Sequence, residues 1–278
     1  MQKGEGPVGK DTVALRNVGH GVNDLYWFVI PSMLPVILAR YELMYGTAGG
    51  LLTAFLCVIA VFSFVLGRFS DSVPRHRVMG AGFIFASSFL VAASLPDNLT
   101  LFVVFILIAG IGVSAYHPAG YASLDETTGR NKGAAYGWFE FWGSLAVFCM
   151  FLIHGLLLKE LAWRPIIILT AIPGFVVGAL YMLFARRFES SIGRPTLTAA
   201  PERPAHLGTA GIATQNMGEP VTGSIPISIF VLFLTVITFR FFGIMAVVSF
   251  TPVYLVREVG LNPSLASYAT GIYFLGGL

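Results

Sequence analysis

Long apolar runs alternate with short clusters of charged, proline and glycine residues along the whole chain. About 20 mostly apolar residues cover the ~30 Å hydrocarbon layer of a bilayer at ~1.5 Å per helical residue. On that rule the pattern predicts eight membrane-spanning helices, over 18–39, 45–67, 77–95, 99–122, 132–158, 164–186, 226–255 and 264–278. The eighth meets Leu278 with no flanking charge, so the chain ends inside a helix. Residues 1–17 are polar and lack the apolar core of a signal peptide, which makes them a solvated cytoplasmic arm. Residues 18–188 hold six helices. Residues 189–225 are rich in Pro, Gly, Ala and Thr without a hydrophobic period and read as a flexible cytoplasmic linker; 226–278 begin a second, incomplete half. The expected fold is therefore an all-α integral membrane bundle with six complete N-terminal helices, a linker, a seventh helix and a truncated eighth.

A repeat supports two parallel halves. A shift of 217 residues lays Pro35-Val36-Ile37-Leu38-Ala39-Arg40 on Pro252-Val253-Tyr254-Leu255-Val256-Arg257, and Thr53 on Thr270. Parallel halves about a midplane site are a common plan for secondary transporters.

Composition agrees. The 278 residues are 56% hydrophobic and 11% charged, against roughly a quarter charged in soluble domains, and the net charge is only +3. A soluble enzyme, a disordered chain and a nucleic-acid binder are excluded. Basic residues sort by side: Lys3, Lys10, Arg16, Arg68, Arg75, Arg77, Arg130, Lys132, Arg186, Arg187, Arg194 and Arg203 fall on one, while Arg40, Lys159, Arg164 and Arg257 fall on the other. The positive-inside rule puts the first group, and the N-terminus, in the cytoplasm. Cys57 and Cys149 stand alone in apolar runs, without metal-ligand or disulfide spacing.

Ionisable groups within spans are costly and need a reason. In the first span His20, Asn23, Asp24, Trp27, Pro31 and Pro35 share one helical face. Asp24 is a candidate proton-coupling or substrate group, with a structural carboxylate as the alternative. The fourth span carries Gly110, Ser114, His117 and Tyr121 on one stripe, and Pro118 there frees a backbone carbonyl that needs another donor. His117 suits a proton relay, or simply a hydrogen bond at a helix end. In the fifth span Tyr136, Glu140, Gly143 and Ser144 align, and Glu140 is hard to explain as packing. Asp24, His117 and Glu140 are expected in one layer. Arg240 aligns with Asn23 in the repeat and offers a fork for carboxylate, phosphate or phosphonate oxygens, or a charge partner for Asp24 or Glu140. Trp27, Tyr116, Trp138 and Trp142 line the same cavity or serve as packing and interface anchors. His20 and Asn23 join the candidate substrate contacts, whereas His154 and His206 read as structural. No catalytic motif, metal site or cofactor motif is present.

The loop Gly67-Arg68-Phe69-Ser70-Asp71-Ser72-Val73-Pro74-Arg75-His76-Arg77 resembles the signature loop of the major facilitator superfamily. Gly67, Asp71, Arg75 and Arg77 match, while Ser72 and Pro74 stand where that family usually has Arg and Gly. The resemblance implies a conformational latch in which Asp71 pairs near a neighbouring helix end, with Arg75 as a partner. His20-Gly-Val-Asn23-Asp24 and Tyr116-His117-Pro118 are similar to the branch that contains fosmidomycin-resistance proteins, drug exporters driven by proton antiport; that branch has Gln where Glu140 stands here. It implies a multi-pass protein of a bacterial inner membrane, monomeric at full length with four further helices. Such a protein is expected to take protons and a small organic, in some cases anionic, substrate. A proton symporter importing an organic acid or sugar and a partial-length binding or assembly subunit are the alternatives.

Overall fold

In the computed structural model, residues 10–128, 132–184 and 226–277 are described; among them are nine α-helices, one 3-10 turn and no strand. The helices are α1 (Lys10–Arg40), α2 (Tyr45–Ser70), α3 (Arg75–Ser94), α4 (Leu99–Val113), α5 (Tyr116–Thr127), α6 (Lys132–Leu157), α7 (Trp163–Leu183), α8 (Ile227–Arg257) and α9 (Pro263–Tyr273). With α4 and α5 counted as one span, seven are long and apolar enough to cross a membrane. The chain divides into two compact units, Met1–Gly193 with Val247–Leu278, and Arg194–Ala246. The described part of the second unit is one apolar, largely exposed helical stretch that carries Arg240. Of the predicted linker, residues 189–225, none lies within the described residues.

The first unit is organised around α1, whose Tyr26, Val29, Met33, Leu34 and Ile37 are fully enclosed. It packs on α6 and α7, α3 packs on α4 and α7, and α2 packs on α4 and α5. Close approach explains the glycines at the α3–α4 crossing: a Cβ on Gly82 would sit 2.6 Å from that of Ala115, and one on Gly112 would sit 2.6 Å from the backbone nitrogen of Ala86. Small residues are how helices associate in lipid, where apolar burial offers no drive.

Two boundaries differ from the sequence reading. The first helix begins at Lys10 rather than near 18, so part of the expected solvated arm is helical and packed; residues 1–9 lie outside the described residues. Thr12, Arg16 and Asn17 are buried there, and α5 and α7 supply polar partners to the Leu15–Arg16 turn. Tyr116 donates its hydroxyl hydrogen to the Arg16 carbonyl, Tyr181 donates to the Leu15 carbonyl at 3.3 Å, and Arg16 reaches the Ser123 carbonyl at 3.5 Å. The fourth span breaks at Ser114 and Ala115 and then continues to Thr127. Pro118 has no N–H for the Ser114 carbonyl, and the Ser63 hydroxyl of α2 donates to it at 3.3 Å instead. The predicted eighth span is the 11-residue α9 followed by a 3-10 turn over Phe274–Gly277, and it is not among the seven membrane-length helices of the described residues.

Each end of the unit has its own ties. At one end Asp97 accepts from Arg40 at 3.1 Å and Arg164 at 2.5 Å, joining the ends of α1 and α7 to the α3–α4 loop. There Arg257 also donates to the Leu43 carbonyl at 3.1 Å, and Tyr45 donates to Glu258 at 2.9 Å. Nearby, α9 docks on α6 through Ser264 to the Gly155 carbonyl at 2.5 Å and Ser267 to the Phe151 carbonyl at 2.7 Å. At the opposite end Arg75 pairs with Glu126, and Lys132 with Asp125.

Candidate proton and substrate site

Positions 20 and 24 of α1 lie one turn apart, which brings His20 and Asp24 together on the face that meets α5 and α6. Nε2 of His20 is 3.6 Å from Oδ2 of Asp24, and Nε2 of His117, from α5, is 3.3 Å from the other carboxylate oxygen. His20 is 1% exposed, while Asp24 and His117 retain 21% and 23% of their side-chain exposure. The trio is thus enclosed on the His20 side and open on the other.

The second bond of each ring fixes where its hydrogens are. Nδ1 of His20 lies 2.6 Å from the Phe139 carbonyl, which can only accept, so the ring hydrogen is on Nδ1. Stacking on the Phe139 ring, 3.8 Å between centroids at 13°, holds that orientation. Nε2 of His20 then presents a lone pair to Asp24. Asn23 is fully buried, and one amide orientation satisfies its neighbours: it donates to the Val113 carbonyl at 2.9 Å and accepts from Trp27 at 3.2 Å and from Nε2 of His117 at 3.1 Å. That network puts the His117 hydrogen on Nε2, and Nδ1 is enclosed without a hydrogen-bond partner. Gly143 of α6 leaves the space all this needs, for a Cβ there would strike Asp24 Oδ2 and lie 2.9 Å from the His20 ring.

The three groups keep one ligand atom each within 4.8 Å of one another, a spacing that suits a cation. In the tautomers that this hydrogen bonding sets, the free lone pairs facing each other are those of His20 Nε2 and the Asp24 carboxylate, which a single proton can share.

The remaining candidates fall at different distances from this centre. Glu140 is exposed and accepts from the Tyr121 hydroxyl at 2.5 Å, and Tyr121 stacks on His117 at 5.8 Å and on Tyr136 at 6.1 Å. Trp27 packs edge-on to His117 at 5.5 Å. Tyr116 is buried with its hydroxyl committed to the Arg16 carbonyl, and His20 and Asn23 are likewise enclosed. Trp138 is 59% exposed and packs edge-on to Phe141. Arg240 belongs to the other compact unit. In the signature loop, Gly67 lets α2 approach α5, since its Cβ would lie 3.1 Å from that of Pro118. Asp71 caps the C-terminus of α2 and is exposed, as is Arg77; the partner of Arg75 is Glu126.

Comparison with known proteins follows the same lines. Residues 17–278 match the family model of the Major Facilitator Superfamily. A Haemophilus influenzae protein named for metabolite transport is 25% identical over 266 residues, 93% of this chain and 62% of its own length. A prepilin leader peptidase/N-methyltransferase of Xanthomonas campestris is 31% identical over 185 residues, but that likeness spans 58% of this chain and 55% of the relative. The fold resembles a bacterial homologue of the human lysosomal transporter Spinster, solved inward-facing and unoccupied, with a TM-score of 0.68 at 16% identity over 96% of this chain and 60% of that one. The chain thus spans about three-fifths of the transport-named relative and of this structural neighbour.

Proposed function

From the premise that the chain belongs to the major facilitator superfamily, we propose that it forms most of a proton-coupled secondary transporter exporting a small organic compound by alternating access. It is a transporter chain and not an enzyme. The observation that carries the proton coupling is the His20–Asp24 edge: with the Nδ1 hydrogen committed to Phe139, two lone-pair atoms face each other at 3.6 Å and a bound proton relieves their repulsion. Asp24 takes the proton, His117 passes it to or from the open side of the trio, and Glu140 extends the path through Tyr121. Trp27 and the Tyr121 and Tyr136 rings border the same space, and Arg240 is the candidate anion-holding group of the second half.

Under this reading the basic loops, with the Asp71 end, face the cytoplasm of a bacterial cell and the Asp97 end faces outside, which the positive-inside rule supports. On that orientation the Arg257–Leu43 and Tyr45–Glu258 bonds and the α6–α9 seam lie at the outer end, and we read them as an outer closure.

The test uses the full-length protein in proteoliposomes under an imposed pH gradient, with fosmidomycin as the probe and an entrapped pH dye. Coupled drug and proton flux in opposite directions is expected, and Asp24→Asn abolishes it without loss of insertion. Flux in the same direction would make it a symporter and overturn export. Flux unchanged in Asp24→Asn would overturn the coupling assignment.

A further inference from the structure

His154 of α6 is 3% exposed and lies toward the Asp97 end of the unit, away from the Asp24 trio. Both ring nitrogens are bonded across helices: Nδ1 is 2.9 Å from the Ser32 hydroxyl of α1, and Nε2 is 2.8 Å from the Thr170 hydroxyl of α7. Those hydroxyls also have backbone acceptors, Val29 at 2.8 Å and Ile166 at 2.7 Å.

Each hydroxyl has one hydrogen. With both donated to backbone carbonyls, both ring nitrogens face oxygen lone pairs, and only an imidazolium with two N–H groups satisfies every contact. In the neutral ring one nitrogen is an acceptor, and Ser32 or Thr170 must turn from its carbonyl to donate to it. The turn costs little, because an intrahelical carbonyl keeps its own helical N–H partner. The hydrogen bonds of His154 can thus accommodate the neutral or the doubly protonated ring by hydroxyl rotation, with no movement of backbone; enclosure opposes the charged ring, so exchange needs water to reach it.

Access to that proton is also built in. The turn bearing His154 lies under the α6–α9 seam: Ser264 donates to the Gly155 carbonyl, and a Cβ on Gly155 would lie 2.5 Å from the Tyr268 ring. Separation of α9 from α6 uncovers this turn. Along the packed helices the titratable or charged groups nearest in sequence are Asp24, Tyr26 and Arg40 on α1, Cys149 before and Lys159 and Glu160 after the ring on α6, Arg164 on α7 and Tyr268 on α9. Ser32 and Thr170 are the groups bonded to the ring itself.

We propose that His154 is a second proton-exchanging group of this transporter, placed on the outer side of the Asp24 trio and opened to the outside when α9 leaves α6. The inference rests on the proton-coupled reading above. The test is nitrogen NMR of full-length protein carrying ¹⁵N-histidine in lipid nanodiscs, between pH 5 and pH 9, with His154→Gln to assign the ring signals. The expected result is a change from two N–H-type nitrogens at low pH to one at high pH. In Thr170→Val, which removes one acceptor, proton affinity should fall about tenfold, a midpoint shift of about one pH unit. A neutral ring throughout that range in the wild-type protein would overturn the proposal. A silent His154 alongside loss of flux in Asp24→Asn would remove this site and leave the coupling reading standing. A titrating His154 with flux intact in Asp24→Asn would remove the coupling reading instead.

Discussion

The carbonyl oxygen of Phe139 on α6 lies 2.6 Å from Nδ1 of His20 on α1, and this bond decides what the other ring nitrogen offers Asp24. The geometry depends on Gly143, one helical turn along from Phe139, because any side chain there meets Asp24 and the His20 ring. Gly143→Ala is therefore expected to displace the carboxylate and lower pH-driven flux at least about tenfold, the effect of roughly 1.4 kcal/mol of lost complementarity. The checks are flux in proteoliposomes and monodispersity on a sizing column. Full flux in a well-folded variant would mean that the His20–Asp24 contact is dispensable.

A second dependence links Ser63 to Pro118. Ser63→Ala leaves the Ser114 carbonyl without its donor where no water replaces it, a cost of about 1–3 kcal/mol that thermal unfolding in detergent would register as a lower Tm. Pro118→Ala restores a helical N–H for that carbonyl. The double variant should then lose less stability than the two single changes added together, and strict additivity would sever the link.

At the Asp97 end the pH dependence has a definite sign. Hydrogen bonds from Arg164 first and Arg40 next hold the Asp97 carboxyl below its usual range. A depressed carboxylate contributes stability that is fully present above its unfolded pKa and is lost as pH falls through the lower folded value. Asp97→Asn should lower Tm slightly at neutral pH, the small size following from the exposure of the pair, and the difference should vanish in acid. A gap of equal size at pH 3 and pH 7 would refute the charge argument.

Much of this was legible in the sequence. The alternation of apolar runs located the membrane-length helices, and the three- and four-residue steps put His20, Asn23, Asp24 and Trp27 on one face. The Pro118 rule demanded a donor for a free carbonyl, although only the fold identified Ser63. What escaped depends on pairings between distant helices: the Phe139 carbonyl as partner of His20, Glu126 rather than Asp71 as partner of Arg75, and the hydroxyls on both sides of His154. Residues 10–17 misled for the same reason, since their polarity reads as solvation until Tyr116, Tyr181 and Ser123 are known to face them. The tie of Glu140 to the Tyr121 hydroxyl likewise escaped, a contact between helices that periodicity within one helix does not specify.

The seam between α6 and α9 makes the last prediction, because it rests on backbone carbonyls that only small residues leave reachable. Gly155 lies against the Tyr268 ring, and Gly271 places its Cα where a Cβ would come 3.0 Å from that of Phe151. Gly155→Leu must push α9 away and break the Ser264 bond, while Arg257 loses its hold on Leu43 only if the whole end opens. The variant is expected to favour the form open at the Asp97 end, raising the labelling rate of a cysteine introduced at Ser267 by a membrane-impermeant maleimide about tenfold. That factor corresponds to a shift of roughly 1.4 kcal/mol between the two forms. Ser267→Cys alone, on a background with Cys57 and Cys149 replaced by Ala, gives the reference rate. Equal rates with and without Gly155→Leu would show that the seam does not hold that end shut, and the closure would then rest on Arg257, Tyr45 and Glu258.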